Sequence, residues 1–141
     1  PPRSTLFPYT TLFRSPEELK YSKEHIWLRI EGGRAVVGIS DFAQEALGDI
    51  AAIELPGEGD QVEQEDSMGS IEARKTVAEL YAPVTATVIA VNDELLDNPG
   101  LLNDDPYDGG WLLELEIADP DELKSLMSAD DYAEYVEDED V

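Results

Sequence analysis

The chain has 141 residues and no cysteine. It contains nine Lys and Arg and 33 Asp and Glu, which gives a formal net charge of -24. This charge argues against binding to nucleic acid or anionic membranes, since both would repel the protein. No apolar run approaches the roughly 20 residues of a membrane helix, so we expect a soluble protein without a transmembrane segment. The acidity indicates either steering towards basic partner proteins or an organism-wide salt adaptation, and composition does not separate the two.

The first fifteen residues do not resemble part of a folded domain. Residues 5–15 match the in-frame translation of a common sequencing adapter, so we interpret residues 1–15 as an artefactual extension. A genuine targeting peptide would be hidden by such an extension. The remainder is predicted to be one domain, residues 16–136, with an acidic tail at residues 137–141, because ~100–200 residues are typical of a single domain.

Short strand-like segments separated by turn residues predict a mainly β fold with a few helices. The segments His25–Ile30 and Arg34–Ile39 flank two glycines, which is typical of a hairpin. Ser40 is a suitable N-cap for a helix over Asp41–Leu47, and Gly48 is a suitable stop. This part of the chain is therefore predicted to form a hairpin followed by a short helix.

The second half of the domain continues the same pattern. Ile50–Leu55 predicts a buried strand, and Ala82–Val91 predicts one long strand because it is rich in β-branched residues. Asn92–Asp108 is rich in Asn, Asp, Pro and Gly and contains several leucines, so we expect a packed loop with a short helix. Its part Asn103–Asp108 lacks the alternating ligands of a calcium loop. Trp111–Ile117 predicts the last strand, and Pro120 begins a C-terminal helical region.

One lysine lies at the tip of a further predicted hairpin. The strand-like segments Asp66–Ile71 and Val77–Ala82 are joined by five residues, Glu72–Thr76, which include Lys75. A lysine that another enzyme must reach needs an exposed tight turn whose strands fix its direction. An arbitrary lysine is most often an ordinary solvated surface residue. Whether Lys75 has a function must therefore be inferred from the surrounding sequence.

The segment Met68–Val84 resembles the lipoyl-attachment segment of the glycine cleavage system H protein family, in which a lysine carries lipoic acid as an amide. Other motifs of that family follow in one colinear order: Lys20–His25 before Trp27, Val37–Asp41, Ala43–Asp49, Glu54–Pro56, Leu80–Val84, Val91–Asn92, Leu102–Asn103, Pro106–Tyr107 and Gly110–Trp111. The resemblance covers nearly everything after the extension. It implies a barrel-sandwich hybrid fold, related to lipoyl and biotinyl domains, with a helical C-terminal segment.

The resemblance also implies the site and the role. Lys75 would carry lipoic acid, attached by a lipoate ligase or lipoyl transferase. Glu72 is assigned to ligase recognition or to turn architecture, because its charge favours the protonated amine and so does not activate it. No catalytic residue and no metal ligand is expected. Any thiol chemistry then belongs to the cofactor, which suits a chain without cysteine.

As a family member, the chain would be a carrier subunit rather than an enzyme. It would take the aminomethyl group of glycine from the P protein, a glycine decarboxylase, to the T protein, an aminomethyltransferase. The L protein, a dihydrolipoyl dehydrogenase, would reoxidise the arm. We expect a monomer in the cytoplasm, or in the mitochondrial matrix if the source is eukaryotic.

One departure from the family keeps an alternative open. Where the family commonly has a glutamate between His25 and Trp27, thought to hold the aminomethyl amine, this chain has Ile26. An isoleucine cannot pair with an ammonium group. The alternatives are an H-like lipoyl carrier for lipoate relay or sulfur metabolism, and a module without lipoate in which Lys75 is idle. The only histidine, His25, is expected to pack or to form a hydrogen bond beside Trp27.

Overall fold

The computed structural model describes residues 19–74 and 76–140, the last four by their backbone alone. The predicted extension, residues 1–15, and Lys75 itself lie outside the described residues. Among the residues described, no helix combines the length and the apolar character needed to cross a membrane.

The described chain forms two antiparallel sheets with short helices between the strands. One sheet has six strands in the order β1-β2-β3-β9-β8-β5, and the other has three in the order β4-β6-β7. The strands are β1 Lys20–Tyr21, β2 Ile26–Glu31, β3 Arg34–Ile39, β4 Ile50–Glu54, β5 Gln61–Val62, β6 Ser67–Ala73, β7 Val77–Tyr81, β8 Ala86–Val91 and β9 Leu113–Ile117. The helices are α1 Asp41–Leu47, α2 Glu94–Asp97, α3 Leu101–Asp104, a 3-10 helix Pro120–Ser125, and α4 Ala129–Asp140. The predicted mainly β class is confirmed, and the two sheets do not close into one barrel.

The first hairpin and α1 form where local sequence rules place them. Glu31 pairs with Arg34, so Gly32 and Gly33 alone make the turn, with Gly32 at φ +64°. Helix α1 has the predicted bounds, because the hydroxyl of Ser40 accepts a hydrogen bond from the third residue along at 3.2 Å.

Several predicted strands differ from the structure, and the last one, β9, begins at Leu113 instead of Trp111. Strand β4 is half-exposed rather than buried, since only Ile50 and Ile53 of its five residues are buried. Strand β8 begins at Ala86 and not at Ala82. The backbone of Ala82 bonds to Glu65 and Asp66 instead, and the backbone N–H and the hydroxyl of Thr85 both donate to the carboxylate of Glu122. That side chain replaces the ladder partner that would have extended the strand.

The remaining predicted helices also differ from those observed in the structure. The loop over Asn92–Asp108 contains two helices, α2 and α3, instead of one. The helical region after Asp119 starts as a 3-10 helix capped by that side chain. Helix α4 then continues through Asp140, so the backbone of the predicted acidic tail belongs to a helix as far as that residue.

The main core lies between the two sheets. Inward side chains of the six-stranded sheet, such as Leu28 and Leu115, meet those of the three-stranded sheet, such as Ile71 and Leu80, and all four are at most 3% exposed. This shared core fixes the position of the hairpin β6–β7 relative to the larger sheet.

A second core, here called the aromatic core, lies where α4 covers β1 and β2. Its buried members are Leu19, Tyr21, Trp27, Tyr107, Ala129, Tyr132 and Val136. The rings of Tyr21 and Tyr132 stack at 4.5 Å with their planes 7° apart. The indole N–H of Trp27 donates to the carbonyl of Pro106 at 2.8 Å. The C-terminal helix is thereby attached to the edge of the six-stranded sheet.

Candidate functional site

The predicted attachment hairpin is present as the strand pair β6 and β7. Cross-strand pairing continues to Glu72 and Val77, and the N–H of Ala73 donates to the carbonyl of Thr76 at 2.8 Å. Arg74 and Lys75 are the two residues that lie between Ala73 and Thr76 in the sequence. Strand β6 therefore extends two residues beyond its predicted end at Ile71, while β7 begins at Val77 as predicted, and the connection is a tight turn rather than a five-residue loop.

The turn is fixed by its backbone, and most of the described side chains around it face solvent. Ala73 is buried, whereas Glu72, Arg74 and Thr76 are exposed. The backbone N–H of Arg74 donates to the carbonyl of Asp49 at 3.2 Å, which ties the tip to the start of β4. Their side chains form an ion pair at 3.9 Å, but both are more than three-quarters exposed, so this pair contributes little.

Gly69 allows β6 to approach β4 closely at the base of the β6–β7 hairpin. Its φ of +141° accompanies a register shift between Ser67 and Ser70 in the pairing of β6 with β7. A Cβ atom at this position would lie 2.3 Å from the carbonyl oxygen of Glu54 on β4. Since no real Cβ contact is that short, only glycine lets the two strands approach here.

Glu72 lies within β6 and not inside the turn. It is exposed and pairs across the sheet with Ala52 on one side and Val77 on the other. No described residue forms an ion pair or a hydrogen bond with its carboxylate, which leaves that group open to solvent. Its proposed roles in ligase recognition or turn architecture remain predictions.

His25 belongs to the aromatic core end of the molecule. Its Nδ1 shares a hydrogen bond of 2.8 Å with the hydroxyl of Tyr132, which in turn shares one with the hydroxyl of Ser40. The imidazole ring also lies 5.0 Å from the ring of Phe42. The expected packing and hydrogen bonding of His25 are therefore present, and its hydrogen-bond partner is Tyr132.

Ile26, the residue that departs from the family pattern, points into the main core. It is 1% exposed and pairs with Ile39 across the first hairpin. An apolar side chain is well accommodated there, whereas an unpaired carboxylate in the same apolar surroundings would be costly. The substitution therefore suits this fold.

A set of residues on the three-stranded sheet, all exposed except half-buried Ser70, was not predicted from the sequence. They share the side of the three-stranded sheet that points away from the core, here called the outer face: Ala52, Glu54, Ser70, Glu72, Val77, Glu79 and Tyr81. The alternation of exposed and buried residues along Val77–Tyr81 is the signal that could have identified this face.

Other kinds of site find no support in the described part of the chain. Across residues 19–74 and 76–140, no group of three or more histidine and acidic side chains could hold a metal ion. The acidic loop at the end of α3 has structural bonds instead. The amide of Asn103 binds Gln44 and the backbone of Gly48 and Ile50, and Asp105 accepts from the N–H of Gly109.

Comparison with known proteins agrees with this arrangement. The family described as Glycine cleavage H-protein matches residues 19–139. The glycine cleavage system H protein of Halalkalibacterium halodurans is 50% identical over 124 residues, which span 88% of this chain and 97% of the relative. That of Salinibacter ruber is 52% identical over 120 residues, which span 85% of this chain and 97% of the relative.

A solved structure gives the same answer. The crystal structure of a glycine cleavage system H protein from Mycobacterium marinum superposes with a TM-score of 0.78 at 32% sequence identity, covering 89% of this chain and 99% of that one. Sequence and fold therefore agree over the same region, and the chain belongs to the glycine cleavage H-protein family.

Proposed function

We propose that this chain is the lipoyl carrier of a glycine cleavage system and that lipoic acid is attached to Lys75. The observation that carries the proposal is the position of this lysine in the sequence. It lies inside the tight turn of the β6–β7 hairpin, between Ala73 and Thr76, in a chain that belongs to the family. Both the fold and the family thus favour the same residue.

The surroundings of the turn fit an attachment site. The exposed side chains of Glu72, Arg74 and Thr76 leave room for an enzyme to approach, while buried Ala73 and the bond from Arg74 N–H to Asp49 hold the turn in place. An attached lipoyl group would supply the dithiol and disulfide chemistry that a chain without cysteine lacks. The protein's own contribution is to present the amine on a rigid support.

In this role the chain is a carrier subunit, and the reactions take place on its partners. The P protein would load the aminomethyl group of glycine, the T protein would remove it, and the L protein would reoxidise the arm. A lipoate ligase or lipoyl transferase would install the cofactor. The tight turn supports this role, because a lysine carried on a short exposed connection is accessible to several enzymes in succession.

Ile26 supports the second candidate, an H-like carrier in lipoate relay or sulfur metabolism. Because its side chain is 1% exposed in the main core, it offers no charge to an aminomethyl amine. The family match over residues 19–139 favours glycine cleavage. The two candidates differ in whether the P protein accepts the lipoylated chain as a substrate.

The test is glycine–bicarbonate exchange with a P protein, using lipoylated wild type, Lys75→Arg and Lys124→Arg. The control lysine is on the 3-10 helix and its side chain is 84% exposed. We expect exchange and a gain of one lipoyl mass in the wild type and in Lys124→Arg, and neither in Lys75→Arg. A lipoylated wild type that supports no exchange would reject glycine cleavage, and a chain that gains no lipoyl mass would reject the carrier role.

A further inference from the structure

The outer face of the three-stranded sheet has a composition unlike that of an ordinary solvated surface. Val77 is 64% exposed and Tyr81 is 37% exposed. Both lie on β7, with Val77 beside the turn and Tyr81 at the opposite end of the strand. Only one other large hydrophobic residue among those described, Leu96, is comparably exposed. Large apolar side chains that share one face beside a site are typical of the contact region of an interface.

Acidic side chains alternate with these apolar ones in two cross-strand rows. The row nearer the turn runs Ala52, Glu72, Val77, and the next row runs Glu54, Ser70, Glu79. Three carboxylates thus share one face, and none forms an ion pair with a described residue. A cationic side chain from a partner would reduce their mutual repulsion.

The occupant can be inferred from charge. A second copy of this chain would bring its own acidic face and a net charge of -24 against the first, so self-association at this surface is unfavourable. A partner with Lys or Arg around an apolar contact would neutralise Glu54, Glu72 and Glu79 and cover Val77 and Tyr81. Such complementarity raises the association rate and selects the partner.

Resting on the function proposed above, we propose that the outer face is the docking surface for the enzyme that acylates Lys75, and that this enzyme presents basic side chains around an apolar contact. The face is continuous with the turn, since Glu72 and Val77 are the last paired residues before it. An enzyme seated there would hold the tip at its active site.

The acylation that follows is an ordinary acyl transfer from an acyl adenylate. The neutral amine of Lys75 attacks the carbonyl carbon, an amide bond forms, the bond from acyl carbon to phosphate oxygen breaks, AMP leaves, and the amine proton passes to solvent. The outer face takes no part in these bond changes. It should therefore affect the Michaelis constant for the chain and not the maximal rate.

The test compares two double variants with the same change in net charge. Glu54→Gln with Glu79→Gln removes two charges from the outer face, and Glu31→Gln with Glu116→Gln removes two exposed charges from the six-stranded sheet. The gain of one lipoyl mass is followed with a lipoate ligase, ATP and lipoate over a range of chain and salt concentrations. We expect KM to rise about tenfold for the outer-face pair, with a weaker salt dependence, and to change little for the control pair.

A second pair tests the apolar contact. Val77→Ser should raise KM severalfold, whereas Leu96→Ser, on α2, should not. All the substituted side chains are exposed, so each variant is expected to fold. Equal KM values for the outer-face variants and their controls would overturn the proposal. So would a dimer of the wild type that Val77→Ser dissociates, since the face would then belong to a second copy.

Direct binding keeps this inference separate from the function on which it rests. The affinity of the Lys75→Arg chain for the ligase is measured by calorimetry with and without the outer-face substitutions, so no acylation is needed. Weaker binding of the substituted chain supports the docking surface, and unchanged binding overturns it. A wild type that gains no lipoyl mass would reject attachment at Lys75, and the calorimetry would still decide the docking surface.

Discussion

The aromatic core and the outer face both contain aromatic or large apolar residues, but one buries them and the other exposes them. In the aromatic core, Tyr21, Trp27 and Tyr132 are at most 1% exposed. On the outer face, Val77 beside the turn and Tyr81 at the far end of β7 are exposed. The first arrangement stabilises the fold, and the second keeps a surface available for a partner.

This difference indicates that the buried contacts that stabilise the fold lie mostly away from the turn that contains Lys75. Consecutive residues of β2 serve separate cores, with Ile26 in the main core and Trp27 in the aromatic core. The hairpin depends on the main core through Ile71 and Leu80 and leaves its other side uncovered. Substitutions in the two regions should therefore have effects of very different size on stability and on attachment at Lys75.

The largest effect is expected at Trp27. Trp27→Ala should lower the free energy of unfolding by about 3–5 kcal/mol, because it removes a fully buried ring and leaves a cavity against Gly38. Urea denaturation followed by circular dichroism measures this loss. Since total stability is typically ~5–15 kcal/mol, the variant should remain folded only at low temperature.

Trp111→Ala is the matched control for that substitution. Trp111 is only partly buried where it packs against the aromatic core, so less apolar area is lost. Its loss of stability should be clearly smaller. Equal losses for the two tryptophans would show that the aromatic core does not depend on Trp27 as the structure indicates.

The next effect tests the support of the hairpin. Gly69→Ala should cost roughly 2–3 kcal/mol, since the added methyl group meets the carbonyl oxygen of Glu54 and the backbone is in the left-handed region. It should also slow attachment at Lys75, because the direction of the hairpin changes. Thermal unfolding and the rate of lipoyl mass gain measure the two effects.

Gly59→Ala separates the effect of the positive φ from the effect of the steric contact. Gly59 has φ +91° but no atom within 4 Å of an added Cβ, so only the backbone strain applies. A loss as large as that at Gly69 would mean that the close approach of β4 and β6 is unimportant, and attachment at Lys75 should be normal in this control.

A smaller effect concerns the hydrogen bonds of the aromatic core. Tyr132→Phe keeps the ring that stacks on Tyr21 but removes the hydroxyl that joins His25 to Ser40. We expect a loss of about 1–2 kcal/mol in urea denaturation. Tyr135→Phe is the control, because the hydroxyl of Tyr135 donates to the carbonyl of Lys23 at the surface, and its loss should be smaller.

The parts of the fold that follow local rules could be predicted from the sequence. The first hairpin and α1 were predicted with nearly the observed bounds, because a two-glycine turn and the Ser40 cap depend on neighbouring residues. Strand β8 was predicted too long because its start depends on Glu122, which is 37 residues from Thr85 in sequence. Contacts of that kind cannot be read from periodicity.

The candidate site could be predicted only in outline. The two strand-like segments around Lys75 indicated the hairpin, but the position of Glu72 within β6, paired with Ala52 and Val77, depends on the sheet register. The predicted burial of β4 was wrong for the same reason, since its apolar Ala51 and Ala52 are exposed. Sequence alone does not tell which side of a short sheet remains uncovered.

The smallest effect is expected on the outer face itself. Val77→Ser should change the free energy of unfolding by no more than about 0.5 kcal/mol, since the side chain is 64% exposed and packs little. Leu80→Ala, on the same strand but 3% exposed in the main core, should cost about 2–5 kcal/mol. Chemical denaturation of both variants measures the contrast directly. A large loss at Val77 would mean that this residue stabilises the fold, whereas an unchanged stability with slower acylation means that β7 uses one side for the core and the other for a partner.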